Sequence, residues 1–164
     1  MIFATCGTSL YPFDRMMAAL GALPAGALCV QHGPATPPAC AEAHPYMPFT
    51  DIAEHMAAAD VVVTHAGVGS ILSAIRAGHV PIVFPRLKRY GEGVDDHQAE
   101  LAAVLDSRKA VLVVRTATEL VDAVATVPAR GTATQLAPQA LVAAISASIT
   151  RTPMRLASVV SAAE

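Results

Sequence analysis

Apolar and polar positions alternate along this chain in two rhythms, and the switches between them outline a fold. Short runs of β-branched or small apolar residues near 2–5, 27–31, 61–64, 81–84 and 110–114 read as buried strands. Between them, stretches near 12–22, 50–58, 70–77, 96–106 and 117–126 carry apolar residues at the spacing of a helix face. The alternation predicts an α/β fold: a single Rossmann-like, doubly wound parallel sheet with helices on both faces. Gly33-Pro-Ala-Thr-Pro-Pro38 breaks the rhythm as a loop. His44-Pro-Tyr-Met-Pro48 is expected to hold a short strand, because its prolines exclude a helix.

The rhythm ends at Pro128. Ala129-Arg-Gly-Thr-Ala133 reads as a linker, and Leu136 to Ile149 as an amphipathic helix with Leu141, Val142, Ile145 and Ile149 on one side. Arg151 to Glu164 lacks a core pattern. The expected division is therefore a Rossmann-like domain over 1–127, a linker and helix over 128–150, and a tail over 151–164.

Candidate chemistry falls where strands pass into helices. His65-Ala-Gly-Val-Gly-Ser70 follows the third of these runs and opens a helix expected to begin near Ser70. Gly67 and Gly69 are expected to allow positive φ and close backbone approach, while unpaired N–H groups of the helix start face the same spot. Such a turn holds a phosphate without lysines. Ser70 and His65 can each add a donor; the plainer roles, Ser70 as a helix cap and His65 as a structural histidine, fit the residues equally well. The third glycine of a dinucleotide fingerprint is missing, which argues against a nicotinamide or flavin cofactor.

One element further on, Pro81-Ile-Val-Phe-Pro85 leads through a loop to Asp95-Asp96-His97-Gln98. Ligands of open parallel sheets bind at the carboxyl edge of the strands, so both segments should face one crevice. Asp96 and Gln98 suit sugar hydroxyls, although a helix cap and a solvated helix residue are the bland alternatives. Arg86, Lys88 and Arg89 form the one basic cluster, aimed at the same crevice or else balanced by Glu92, Asp95 and Asp96. Gly7-Thr8-Ser9 after the first strand is a second candidate anion turn, or a cap for the helix that follows. His32 and His44 lie on the expected edge, whereas His55 and His79 have no local partner and receive no role.

Net charge is −2 and the only lysines are Lys88 and Lys109, which gives no support to nucleic-acid binding. Cys6, Cys29 and Cys40 are odd in number and lack metal-ligand spacing; Cys6 and Cys29 read as small core residues. No metal and no cofactor is expected. With no leader before the first strand and no apolar run of about 20 residues, a reducing cytoplasm is the expected location.

Taken together, Ile2-Phe-Ala-Thr-Cys-Gly-Thr8, Gln31-His-Gly33, His65-Ala-Gly-Val-Gly-Ser70 and Pro85-Arg-Leu-Lys-Arg-Tyr-Gly91 with Asp96-His-Gln98 resemble one family. It is the C-terminal, donor-binding half of family-28 glycosyltransferases of the GT-B architecture. The likeness is nearest to small stand-alone subunits: the cytosolic subunit of the dolichol-linked N-acetylglucosaminyltransferase and its counterparts in bacterial exopolysaccharide synthesis.

The resemblance implies a UDP-sugar donor bound by the 1–127 domain. Its diphosphate would rest on Gly67, Gly69 and Ser70, with Gly7, Thr8, Arg86 and Arg89 nearby. Its sugar would meet Asp96, His97 and Gln98, and His65 is carried over as the catalytic candidate. Family members commonly hold the ribose with a glutamate where this chain has Ser73. The chain's 164 residues suffice for one domain but not two, so the other wall of the cleft is expected from a membrane-associated, acceptor-binding subunit or from a homodimer. The acceptor would be a lipid-linked glycan or polysaccharide, placing the protein at the inner face of a membrane. A non-catalytic nucleotide-sugar-binding regulatory subunit and a UDP-sugar epimerase-like enzyme are the alternatives.

Overall fold

The computed structural model describes residues 1–131; the amphipathic helix and tail expected over 136–149 and 151–164 lie outside the described residues. Six strands, β1 (Ile2–Thr5), β2 (Leu28–Gln31), β3 (Glu42–His44), β4 (Val61–His65), β5 (Ile82–Phe84) and β6 (Leu112–Val113), form one sheet in the order β3-β2-β1-β4-β5-β6. Every pairing is parallel. The doubly wound α/β sheet expected from the sequence is present.

Among the described residues five α-helices cover it: α1 (Asp14–Leu20), α2 (Phe49–Ala58), α3 (Val68–Arg76), α4 (His97–Ser107) and α5 (Ala117–Thr126). Side chains alternate across the pleat, so each strand feeds two cores. Ile2, Ala4, Leu28, Val30, Val63, Ile82 and Phe84 pack with α1 and α5. On the other face, Phe3, Cys29 and Val62 meet Met56 of α2 and Ala74 of α3, and Val83 meets Ile71 of α3 with Leu101 and Leu105 of α4.

Three expectations need correction. The helix after β4 begins at Val68, not near Ser70. Gly67 is its N-cap in an extended conformation (φ −82°, ψ 131°), and its carbonyl accepts the Ile71 N–H at 3.0 Å. Glycine's poor helix propensity concealed that Gly69 sits within the first turn. The short strand expected within 44–48 lies instead at Glu42–His44 and stops before Pro45, which has no N–H to pair. His55 does have a local partner, its Nδ1 lying 2.8 Å from the Asp51 carbonyl, whereas the partner of His79 is distant along the chain, its Nε2 lying 2.8 Å from the Met56 carbonyl.

Candidate functional site

The sheet reverses its winding between β1 and β4, so their carboxyl ends flank a topological switch point. Gly7 follows β1 and the His65–Ser70 turn follows β4, bringing the two candidate turns together. The contact is steric: a Cβ on Gly7 would lie 2.5 Å from His65 Cε1, and a Cβ on Gly67 would lie 2.2 Å from His65 Nε2. The imidazole is thus seated between two glycines. The reason for Gly67 is this ring and not backbone freedom, since neither Gly67 nor Gly69 has positive φ; Gly7 does, at 76°.

Burial of the ring and the nearby Arg86 charge push the His65 pKa down to about 4, against the opposing pull of the Thr5 carbonyl. His65 is therefore neutral at pH 7, with a buried Nδ1 that has no partner among the described residues.

The start of α3 is open. The N–H groups of Val68, Gly69 and Ser70 precede the first intrahelical donor, the Ile71 N–H, and have no partner among the described residues. The Ser70 hydroxyl does not cap the helix, and Ser73 stands one turn further along the same face. A Cβ at Gly69 would meet nothing within 4 Å. This arrangement presents donors and a partial positive charge to an anion.

A residue that sequence reasoning passed over organises the first turn. Gln31 is buried at the end of β2. Its Oε1 accepts from Thr5 Oγ1 at 2.6 Å and from Gly7 N at 3.1 Å, while its Nε2 donates to the Gly7 carbonyl at 3.0 Å and the Pro45 carbonyl at 2.8 Å. The Gly7 N–H is consequently engaged inside the protein, whereas Thr8 remains exposed. Nor do Gly7, Thr8 and Ser9 cap α1, which starts five residues beyond Ser9 at Asp14. A long amide ending an otherwise apolar strand was the signal that could have revealed Gln31.

Gln98 plays a comparable part between β4 and β5. Its Oε1 accepts the N–H groups of Ala66 and Arg86, both at 3.2 Å, tying the ends of the two strands together. Asp96 Oδ1 accepts the Lys88 N–H at 2.9 Å across the 86–96 loop. His97 is exposed, 3.5 Å from both Asp95 and Glu100.

Arg86 is buried rather than displayed. Its Nη1 donates to the carbonyls of Tyr11 and Glu92, its Nη2 to that of Cys6, and its guanidinium lies 4.4 Å from the centre of the Phe13 ring. Glu92, also buried, is paired with Arg15 of α1 at 2.7 Å instead of balancing the basic cluster. Lys88 and Arg89 are exposed, the latter stacked on Tyr90 at 4.9 Å.

Comparison with known proteins adds two findings. The glycosyltransferase family 28 C-terminal domain matches residues 31–149. A UDP-N-acetylglucosamine transferase subunit, ALG13 of Yarrowia lipolytica, is 40% identical over 63 residues, which is 38% of this chain and 30% of that protein. The shared segment is thus less than a third of the relative's length.

Proposed function

The chain belongs to the glycosyltransferase family 28 C-terminal domain family, and from that membership we propose that it is the donor-binding subunit of a UDP-sugar glycosyltransferase. The carrying observation is the open N-terminus of α3 at the β1/β4 switch point, where the Val68, Gly69 and Ser70 N–H groups stand free beside the Ser70 hydroxyl. In this reading the donor diphosphate rests on those groups and Ser73 faces the ribose. Gln98 Nε2, Asp96 Oδ2 and His97 meet the sugar, with Thr8 and Arg89 at the rim.

Transfer proceeds by displacement at the anomeric carbon. Charge develops on the departing diphosphate, where preorganised N–H donors are together worth several kcal/mol by order of magnitude in the transition state. Neutral His65 acts as a positioning residue that fixes the distance between the two turns. A general base for the acceptor hydroxyl is assigned to a second, acceptor-binding subunit, and the lipid-linked or polysaccharide acceptor with it. That subunit would bring the protein to the cytoplasmic face of a membrane; among the described residues no helix is long and apolar enough to cross one. UDP-N-acetylglucosamine is the donor to try first, because it is in the name of the relative.

Gly69→Glu tests the phosphate site. The backbone there is helical, the added Cβ meets no neighbour, and a carboxylate in a first helical turn is favoured by the helix dipole, so the fold should be kept. Calorimetric titration with UDP should show at least a tenfold loss of affinity against the parent chain, equivalent to ~1.4 kcal/mol, with an unlowered melting temperature. Unchanged affinity would remove the phosphate from this turn.

A further inference from the structure

Away from that edge, on the face covered by α2, three side chains from separate elements converge. Cys29 of β2 and Glu42 of β3 are register partners, and His55 of α2 lies over them. One ligand atom from each falls within 4.8 Å of the others. We propose that Cys29 Sγ, a Glu42 carboxylate oxygen and His55 Nε2 bind a divalent ion of the zinc class.

The second observation is the orientation of His55. Its Nδ1 is 2.8 Å from the Asp51 carbonyl, which can only accept, so the ring proton sits on Nδ1 and the Nε2 lone pair points outward. That nitrogen faces Glu42 Oε2 at 3.8 Å. A backbone carbonyl fixing the far nitrogen is the usual support of a metal-binding histidine. Glu42 is held in turn, its Oε1 lying 2.6 Å from His44 Nε2. The Phe3 ring, 5.2 Å from that of His55, gives the site an apolar floor.

Tetrahedral ligands around zinc stand about 3.5 Å apart, so closure by roughly an ångström is needed, and the exposed Glu42 side chain can supply it. A thiolate, an imidazole and a carboxylate together favour zinc or cobalt over magnesium or calcium. The ion would replace the Cys29 proton, which passes to buffer, and leave one position for water. Without metal that thiol is held protonated, its pKa pushed up to about 11 by burial and by the Glu42 carboxylate. The ion would tie the edge strand β3 to β2 and α2. The inference rests on none of the residues assigned to the donor.

Cobalt titration of the chelator-stripped full chain tests it. One Co²⁺ per chain should give a thiolate-to-cobalt charge-transfer band that Zn²⁺ abolishes, with release of about one proton per ion and a raised melting temperature. Cys29→Ser should lose the band and Cys40→Ser should keep it. His55→Gln and Glu42→Gln, at partly exposed positions, should weaken binding at least tenfold with unchanged circular dichroism, and they carry the test if Cys29→Ser fails to fold. No band in the folded parent, a band surviving in Cys29→Ser, or unchanged affinity in both other variants would overturn the site.

Discussion

His65 shows how one side chain can dictate its neighbours. Its ring fills the space that a Cβ at Gly7 or Gly67 would need. Gly67→Ala should therefore destabilise the chain by roughly 1–3 kcal/mol through overpacking, and by much less when His65 is already alanine; a double-mutant cycle by urea unfolding measures the difference. Equal costs in both backgrounds would show that the ring is not the obstacle. The same burial makes a pH prediction. With its pKa near 4, below the usual 6.5, folded His65 resists the proton that the unfolded chain accepts. Its contribution is complete above about pH 6.5 and is lost as pH falls toward 4, roughly 3 kcal/mol in all. An imidazole NMR titration should place its midpoint near 4, and a midpoint near 6.5 would remove the effect. The sequence displayed Gly67 but not its cause, because the ring that requires it is held in place by packing against Gly7, far away along the chain.

At the level of elements, periodicity made most of the sheet and its helices legible, and what it missed is instructive. The span of α5 coincides with the expected 117–126, since its apolar stripe is reinforced by a local signal: Thr116 Oγ1 accepts the Glu119 N–H at 3.2 Å. The start of α3 was displaced because a glycine inside a first turn looks like a loop. The 86–96 loop was legible as a connection but not as a structure, for its order comes from a residue 77 positions distant. Arg15 binds both carboxylate oxygens of Glu92 and the Pro85 carbonyl, and Glu92 Oε2 also accepts the Leu87 N–H at 2.8 Å. Glu92→Ala would leave the Arg15 guanidinium without its counter-charge and the buried Leu87 N–H without its acceptor. The expected loss is roughly 3–5 kcal/mol by denaturant unfolding, with Lys88→Ala as a control within about 0.5 kcal/mol. A loss for Glu92→Ala no larger than that control would mean the loop is ordered by its backbone alone.

For the whole molecule, the proposed donor edge combines firm support with an open side. Gln31 and Gln98 each lash neighbouring loops together, Arg86 gathers three carbonyls from the loops after β1 and β5, and the donors at the α3 start remain free. Leu10 and Val94, on the loops following β1 and β5, are 85% and 67% exposed. His65 stays neutral and enclosed, and Asp96 is committed through one oxygen to the Lys88 N–H, so the proposed function leaves the general base to the second subunit. Under the proposed function, binding and turnover should therefore separate. The chain alone should bind UDP with EDTA present and transfer no sugar from labelled UDP-N-acetylglucosamine; addition of an acceptor-binding subunit should start transfer, and Gly69→Glu should stop it again. Turnover by the chain alone would place the base and the acceptor site within this polypeptide, and the proposed division of labour between two subunits would fall.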